Sequence, residues 1–164
     1  GERGVGYLLA LAVSVPLVWG APGLFLKSAS GGGAAVADAT CASPDVLSAL
    51  DAQPPGLVLS VADAAPDILR YTGQRALHGH YHRNAAGIDM ALRIFISPPD
   101  EAAGLMRADG VSYVLACPSH GEMQMLAKAH PEGLAARLAA GDKMDFLAPV
   151  AGNEGGETLY AVTR

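Results

Sequence analysis

The segment His78-Gly79-His80-Tyr81-His82 places three histidines at alternate positions. Side chains of an extended strand alternate between its two faces, so a strand over 75–81 would direct these imidazoles to the same face. Three imidazoles with an open fourth position are one arrangement that binds zinc in enzymes. The spacing alone is not specific, because histidines along the edge or face of a strand show it as well. His78, His80 and His82 are therefore candidate metal ligands, but we predict no bound metal here.

The adjoining residues His82, Arg83 and Asn84 form a polar segment where this strand gives way to a helix. Ligands of open α/β sheets bind near the carboxyl edge of the sheet, and helix N-termini favour anions. Arg83 can hold a phosphate or carboxylate with two parallel hydrogen bonds. We predict that His82, Arg83 and Asn84 bind substrate. The alternatives are a surface ion pair for Arg83 and a helix cap for Asn84.

Cys41 and Cys117 are the two cysteines of the chain. In an oxidising compartment they can form a disulfide, which would close a long loop and stabilise the fold by about 4.5 kcal/mol in the chain-entropy model. The alternative is two unpaired thiols, at least one of them buried at a strand end. No histidine and asparagine pattern frames either cysteine as a catalytic nucleophile.

Motifs of the common nucleotide-binding, hydrolase and metalloprotease sites are absent from the sequence. Ser119 and His120 are of nucleophile and base type, but adjacent residues rarely face each other productively. We therefore predict no catalytic residue and no cofactor in this chain.

The elements that would position these residues alternate between helix and strand from about residue 40 onward. Strands predicted at 57–61, 75–81 and 111–117 are separated by helices, which favours parallel pairing. Two further strands, at 146–151 and 158–164, flank a glycine-rich turn and predict an antiparallel hairpin. The predicted fold class is α/β: a small three-layer α/β/α sandwich with a mostly parallel sheet and a C-terminal antiparallel hairpin.

The run from Gly4 to Leu26 contains no charged residue. A helix over these residues would span the hydrocarbon core of a bilayer, which is about 30 Å thick. We predict a transmembrane helix at 4–26, a flexible linker at 27–39 and an extracytoplasmic α/β domain at 40–164. A signal peptide and a buried soluble helix are the alternatives. The chain begins with Gly1 rather than Met, so we expect a fragment or a processed product.

The composition excludes two classes of protein. The chain of 164 residues is 51% hydrophobic and 16% charged, with a net charge of -5. A disordered charged tail needs fewer apolar residues and more like charges. A nucleic-acid partner is not expected either, because its phosphates would meet no excess of positive charge.

The stretch 57–117 has a recognisable order of elements. A buried strand is followed by a short helix ending in YTGQRAL, then by HYHRN, an amphipathic helix and the segment PPDEAAGLMRADGVSYVLAC. It resembles the C-terminal extracytoplasmic region of bacterial polytopic membrane proteins related to GT-C glycosyltransferases, such as the catalytic subunit of oligosaccharyltransferases. The most specific part of the resemblance runs from Pro99-Asp100-Glu101 to Ser112-Tyr113-Val114.

Two departures limit what this resemblance implies. Oligosaccharyltransferases carry a WWDYG motif after the first strand, whereas this chain has Val61-Ala62-Asp63-Ala64-Ala65 there, without tryptophan. The recognition of a peptide acceptor by that motif is therefore not carried over. In GT-C enzymes, acidic residues in an early extracytoplasmic loop activate the acceptor. This chain does not contain that loop.

The resemblance implies a C-terminal periplasmic domain of a glycosyltransferase-like protein in the bacterial inner membrane. The domain would cap the active site and help to bind a polyprenyl-phosphate sugar donor or the acceptor. Its partners would be membrane lipid, upstream transmembrane helices of the same protein and the polyprenyl-phosphate sugar, with a divalent metal possible in the full-length enzyme. The alternative is a non-catalytic, single-pass membrane-anchored binding or assembly module.

Overall fold

The computed structural model describes residues 41–152 and 156–163 of the chain. The predicted transmembrane helix at 4–26 and the predicted linker at 27–39 lie outside these residues. Within the described ranges, no helix combines the length and the hydrophobicity needed to cross a membrane.

Six α-helices and five strands make up the described part of the chain. The helices are α1 (Pro44–Asp51), α2 (Ala65–Tyr71), α3 (Ala85–Ile96), α4 (Pro99–Asp109), α5 (Gly121–Ala129) and α6 (Leu134–Ala140), and a short 3-10 helix (Ala62–Ala64) precedes α2. The strands are β1 (Leu57–Leu59), β2 (Arg75–Ala76), β3 (Val111–Ala116), β4 (Leu147–Gly152) and β5 (Thr158–Val162).

The strands form one sheet with the order β2-β1-β3-β5-β4. Strand β1 is parallel to both β2 and β3, whereas β5 is antiparallel to both β3 and β4. Four of these five strands therefore run in the same direction. The mostly parallel sheet and the C-terminal antiparallel hairpin are both confirmed.

The order of the strands reverses between β1 and β3. The chain leaves β1 towards β2 on one side, and it leaves β3 towards β4 and β5 on the other. Open α/β sheets bind their ligands outside the carboxyl ends of the two strands that flank such a reversal. The residues that follow Leu59 and Ala116 are thus the first place to look for a site.

The central strands are buried on both faces, as is typical of parallel strands between helices. Val58, Leu59, Val114 and Leu115 have no exposed surface. Helices α3 to α6 contact one another, and α1 contacts α2 and strands β4 and β5. This is a mixed α/β domain built around one sheet.

The strand predicted at 75–81 is wrong over most of its length, because β2 contains only Arg75 and Ala76. The Leu77 amide still donates to the carbonyl of Val58 at 2.9 Å, but the chain then turns. The Tyr81 amide donates to Gly79 at 2.7 Å and the Asn84 amide donates to Tyr81 at 2.8 Å. The three alternating histidines therefore lie on a loop and not on one face of a strand.

Candidate functional site

A cleft of about 620 Å³ opens at the carboxyl ends of β1 and β3. Its volume is within the range of small-molecule sites, and its position matches the reversal of strand order. Its polar wall is formed by three elements with titratable groups, which are the 3-10 helix, the loop after β2 and the start of α5, and the other lining residues are apolar. The lining residues are Ala62, Asp63, His78, Gly79, His80, His82, Ile88, Leu92, His120, Glu122, Met125 and Leu126.

A second cavity of about 640 Å³ lies between α1 and α2. Its lining residues include two carboxylates, Asp51 and Asp67, but no histidine, lysine or arginine. We take the cleft beside β1 and β3 as the candidate site, because titratable side chains from separate elements meet there.

Asp63 lies at the centre of the polar wall and is contacted by two imidazoles. Its Oδ1 atom is 2.5 Å from Nε2 of His80, and its Oδ2 atom is 3.1 Å from Nε2 of His120. The two histidines differ in exposure, since 70% of the His80 side chain is open to solvent but only 5% of the His120 side chain is. Asp63 itself is about half exposed, so the carboxylate is held in place yet remains open to a ligand.

The tautomer of His120 follows from its neighbours. Nδ1 of His120 accepts a hydrogen bond from the Glu122 amide at 3.2 Å, which caps the first turn of α5. The proton of the neutral ring must then be on Nε2, where it is donated to Asp63. His120 thus ties the carboxylate after β1 to the helix after β3. It positions Asp63 and has no free lone pair for a metal ion.

Glu122 connects a second pair of groups in the same way. Its Oε2 atom accepts from the Ala62 amide at 2.8 Å, and its Oε1 atom lies 3.7 Å from Nε2 of His78. The distance between Glu122 and His78 is longer than a hydrogen bond, so their interaction is electrostatic. His78 is buried, and its Nδ1 atom has no partner among the described residues.

Both carboxyl groups have lowered pKa values. The hydrogen bond from His80 is the main reason that the pKa of Asp63 is lowered. Partial burial raises this pKa, but His80 and His120 together outweigh it. Burial raises the pKa of Glu122, but the contacts with His78 and the Ala62 amide outweigh it and lower the pKa. Both groups are therefore ionised at neutral pH.

The predicted metal ligands His78, His80 and His82 all line the cleft. Across residues 41–152 and 156–163, their ligand atoms do not form a group in which all lie within 4.8 Å of one another. Within the part of the chain that the structure describes, the one group of at least three such residues that meets this distance is Cys41, Cys117 and Glu157. Its two sulfur atoms are bonded to each other and so offer no thiolate.

The three predicted substrate-binding residues have separate surroundings. His82 lines the cleft, whereas Arg83 is exposed and is not among the lining residues. Asn84 caps α3, since its Oδ1 atom accepts from the Gly87 amide at 3.2 Å and its Nδ2 atom donates to Leu77 at 3.0 Å. Asn84 is therefore a helix cap, which is the alternative to substrate binding for this residue.

Sequence reasoning missed the residues at the centre of the polar wall, Asp63, His120 and Glu122. Asp63 follows β1 by four positions and His120 follows β3 by four positions. Their places after two parallel strands could have identified them, because the carboxyl ends of parallel strands meet at one edge of a sheet.

The disulfide between Cys41 and Cys117 is confirmed, with a Cα–Cα distance of 5.8 Å that is usual for such bridges. It joins the start of the described domain to the end of β3. Nearby, the buried carboxylate of Glu157 accepts hydrogen bonds from the amides of Ala42 and Ser43. These contacts attach the start of α1 to the segment before β5.

Comparisons with known proteins establish the fold. No protein-family model matches the sequence, and no curated protein matches it. Among solved structures, the domain is similar to the C-terminal globular domain of an oligosaccharyltransferase, AfAglB-S2, from Archaeoglobus fulgidus. That similarity has a TM-score of 0.56 and 16% sequence identity, and it covers 73% of this chain and 95% of that chain.

Proposed function

We propose that this chain is the C-terminal, extracytoplasmic part of a glycosyltransferase-like integral membrane protein. The observation that carries the proposal is the shared fold, which extends over 95% of the archaeal oligosaccharyltransferase domain. Independent support comes from the sequence resemblance between Pro99 and Val114. In this proposal, residues 4–26 anchor the domain in a bacterial inner membrane.

The disulfide supports an extracytoplasmic location. Structural disulfides persist in oxidising compartments such as the bacterial periplasm and are rare in the cytosol. Cys41 and Cys117 are both buried, so the bridge has a structural role.

The proposed role of the domain is to cap the membrane active site and orient a substrate, without performing the chemical step. The cleft is the surface for this role. Asp63 stands in the middle of Val61–Ala65, the segment that takes the place of the WWDYG motif, so the aspartate is present although both tryptophans are replaced. Asp63, His80 and His82 would contact the substrate, and Arg83 stands on the exposed loop beside them.

The upstream reading frame is the first test. We expect several further membrane helices before residue 1 and an acidic pair in the first extracytoplasmic loop. A gene in which 4–26 is the sole membrane helix would overturn the proposal and favour a single-pass binding or assembly module.

Glycosyl transfer by the full-length protein is the second test. Reconstituted protein would be assayed with a radiolabelled polyprenyl-phosphate sugar, and Asp63→Asn would be compared with Asp89→Asn. Asp89 is an exposed carboxylate on α3 that pairs with Arg93, so it controls for loss of charge. We expect Asp63→Asn to raise KM about tenfold with little change in kcat, because it removes a binding interaction. Equal KM values for the two variants would contradict a substrate-orienting cleft.

A further inference from the structure

Asp63 and His80 contact each other in the cleft, and both have hydrogen-bond acceptors that this contact does not use. Asp63 is ionised and accepts one hydrogen bond on each oxygen, and each oxygen has a second lone pair. When the ring of His80 is neutral and donates its Nε2 proton to Asp63, its exposed Nδ1 atom presents a lone pair. A ligand that satisfies these groups must therefore donate hydrogen bonds.

His78 contributes no acceptor that a ligand in the cleft can reach. Its side chain is 4% exposed, and its Nδ1 atom is buried and has no partner within the described part of the chain. Its Nε2 atom lies 3.7 Å from Oε1 of Glu122. The acceptors that are open to a ligand are therefore those of Asp63 and His80.

The cleft contains carboxylates but no permanent positive charge. Its lining residues include the carboxylates of Asp63 and Glu122 and four histidines, but neither lysine nor arginine. An anion such as phosphate would meet two negative charges there, whereas a cation would be attracted.

The cleft also has apolar lining residues that are partly exposed. They include Ile88 and Leu92 of α3 and Met125 of α5, and the exposed fractions are 39% for Leu92 and 64% for Met125. An apolar segment of a ligand can cover these side chains while its polar end faces Asp63.

We infer that the cleft binds a protonated primary amine joined to an apolar segment. An ammonium group has three donors and no acceptor, so it complements the open lone pairs of Asp63 as well as the negative charge of the cleft. The inference rests on the proposed function in treating the cleft as the substrate surface, and it assigns that surface to an amine-bearing acceptor and not to the phosphate of a donor. The amine can belong to an amino sugar or to a lysine side chain.

Titrations of the isotope-labelled full chain at neutral pH would test the inference. The probes are n-hexylamine, 1-hexanol and hexyl phosphate, which share an apolar chain but end in a cation, a neutral hydroxyl and an anion. We expect saturable shifts of the amides of 62–64 and 121–122 with hexylamine. Binding should be about tenfold or more weaker with hexanol, since hydrogen bonds to charged groups are the stronger ones. Hexyl phosphate that binds as tightly as hexylamine, or hexylamine that does not bind, would overturn the inference.

Matched variants make the test specific. Asp63→Asn should weaken hexylamine binding about tenfold, whereas Asp89→Asn should leave it unchanged. Leu92→Ser should weaken hexylamine but not methylamine, because methylamine lacks the apolar chain. An unchanged affinity in Asp63→Asn or in Leu92→Ser would place the amine elsewhere and overturn the assignment.

Two further probes, glucosamine and Nα-acetyl-lysine methylamide, identify the source of the amine. Tighter binding of the first indicates an amino sugar, and tighter binding of the second indicates a lysine side chain. These binding experiments are separate from the tests of the proposed function. Failure of amine binding leaves glycosyl transfer by the full-length protein measurable, and failure of transfer leaves amine binding measurable.

Discussion

Asp63 and His120 are 57 residues apart in the chain, yet the carboxylate Oδ2 and the imidazole Nε2 lie 3.1 Å apart. Each residue follows a different parallel strand, so the contact joins the two segments that leave the sheet at its reversal of strand order. Because His120 is almost fully buried and Asp63 is half exposed, the histidine fixes the carboxylate and leaves its open side to solvent.

Replacing His120 should cost stability. His120→Ala removes the donor to Asp63 and the acceptor for the Glu122 amide, and it leaves a space in a buried position. We expect the free energy of unfolding to fall by about 1–3 kcal/mol in guanidinium titrations. His130→Ala, at an exposed histidine after α5, is the control and should change it by less than about 0.5 kcal/mol. Equal effects of the two substitutions would mean that His120 has no structural role.

Acid should destabilise the domain through Glu122. Its pKa is lower in the folded protein than in the unfolded chain, so its contribution is complete above about pH 5 and is lost as the pH falls through the folded value. We expect the free energy of unfolding to decrease below about pH 5, and to decrease less steeply in Glu122→Gln. Glu132→Gln removes a carboxyl that is 82% exposed and should keep the slope of the unsubstituted protein. A Glu122→Gln slope identical to that of the unsubstituted protein would contradict this prediction.

Reduction of the Cys41–Cys117 bridge should lower stability by about 2–5 kcal/mol. The loss arises mainly because the unfolded chain regains the freedom of a long loop. Thermal unfolding with and without reductant measures the effect, and the Cys41→Ser, Cys117→Ser double variant should match the reduced protein and be insensitive to reductant. A thiol assay that finds two free thiols after unfolding without reductant would show that the bridge is absent.

Local signals in the sequence were sufficient for most of the helices. Helix α4 extends over Pro99–Asp109, with proline in its first turn and with Gly110 in the left-handed conformation directly after its last turn. Proline in a first turn and glycine after a last turn act within a few residues, so they can be read without knowledge of the fold.

The candidate site could be predicted only in part, because its contacts depend on the order of the strands. His78, His80 and His82 were identified as chemistry-bearing residues and do line the cleft. Their alternation predicts a strand, but the turn at Gly79 and Tyr81 interrupts it. Asp63 and His120 meet only because β1 and β3 are neighbours, which no local pattern encodes.

Two helical glycines should respond in opposite ways to alanine. A Cβ atom on Gly87 in α3 would overlap with the carbonyl oxygen of Leu77, at the start of the loop that carries the cleft histidines. We expect Gly87→Ala to cost about 2 kcal/mol or more. Gly104 in α4 has nothing within 4 Å of such an atom, and Gly104→Ala should stabilise by about 0.5–1 kcal/mol. Denaturant titrations of both variants compare the two, and a stabilised Gly87→Ala would disprove the close approach.

Ala42 is the one residue other than glycine with a positive φ in the described ranges, at 84°. The conformation places its amide toward the carboxylate of Glu157, next to the disulfide. Glycine adopts this region without the steric cost of a Cβ atom, about 1 kcal/mol, and this gain offsets the loss of the buried Ala42 methyl group, so Ala42→Gly should change the free energy of unfolding by less than about 0.5 kcal/mol. The same substitution at Ala108, exposed within α4, should lower it by about 0.5–1 kcal/mol. Guanidinium unfolding compares the two variants, and an Ala42→Gly variant that is destabilised more than Ala108→Gly would contradict the expected relief of the left-handed backbone at Ala42.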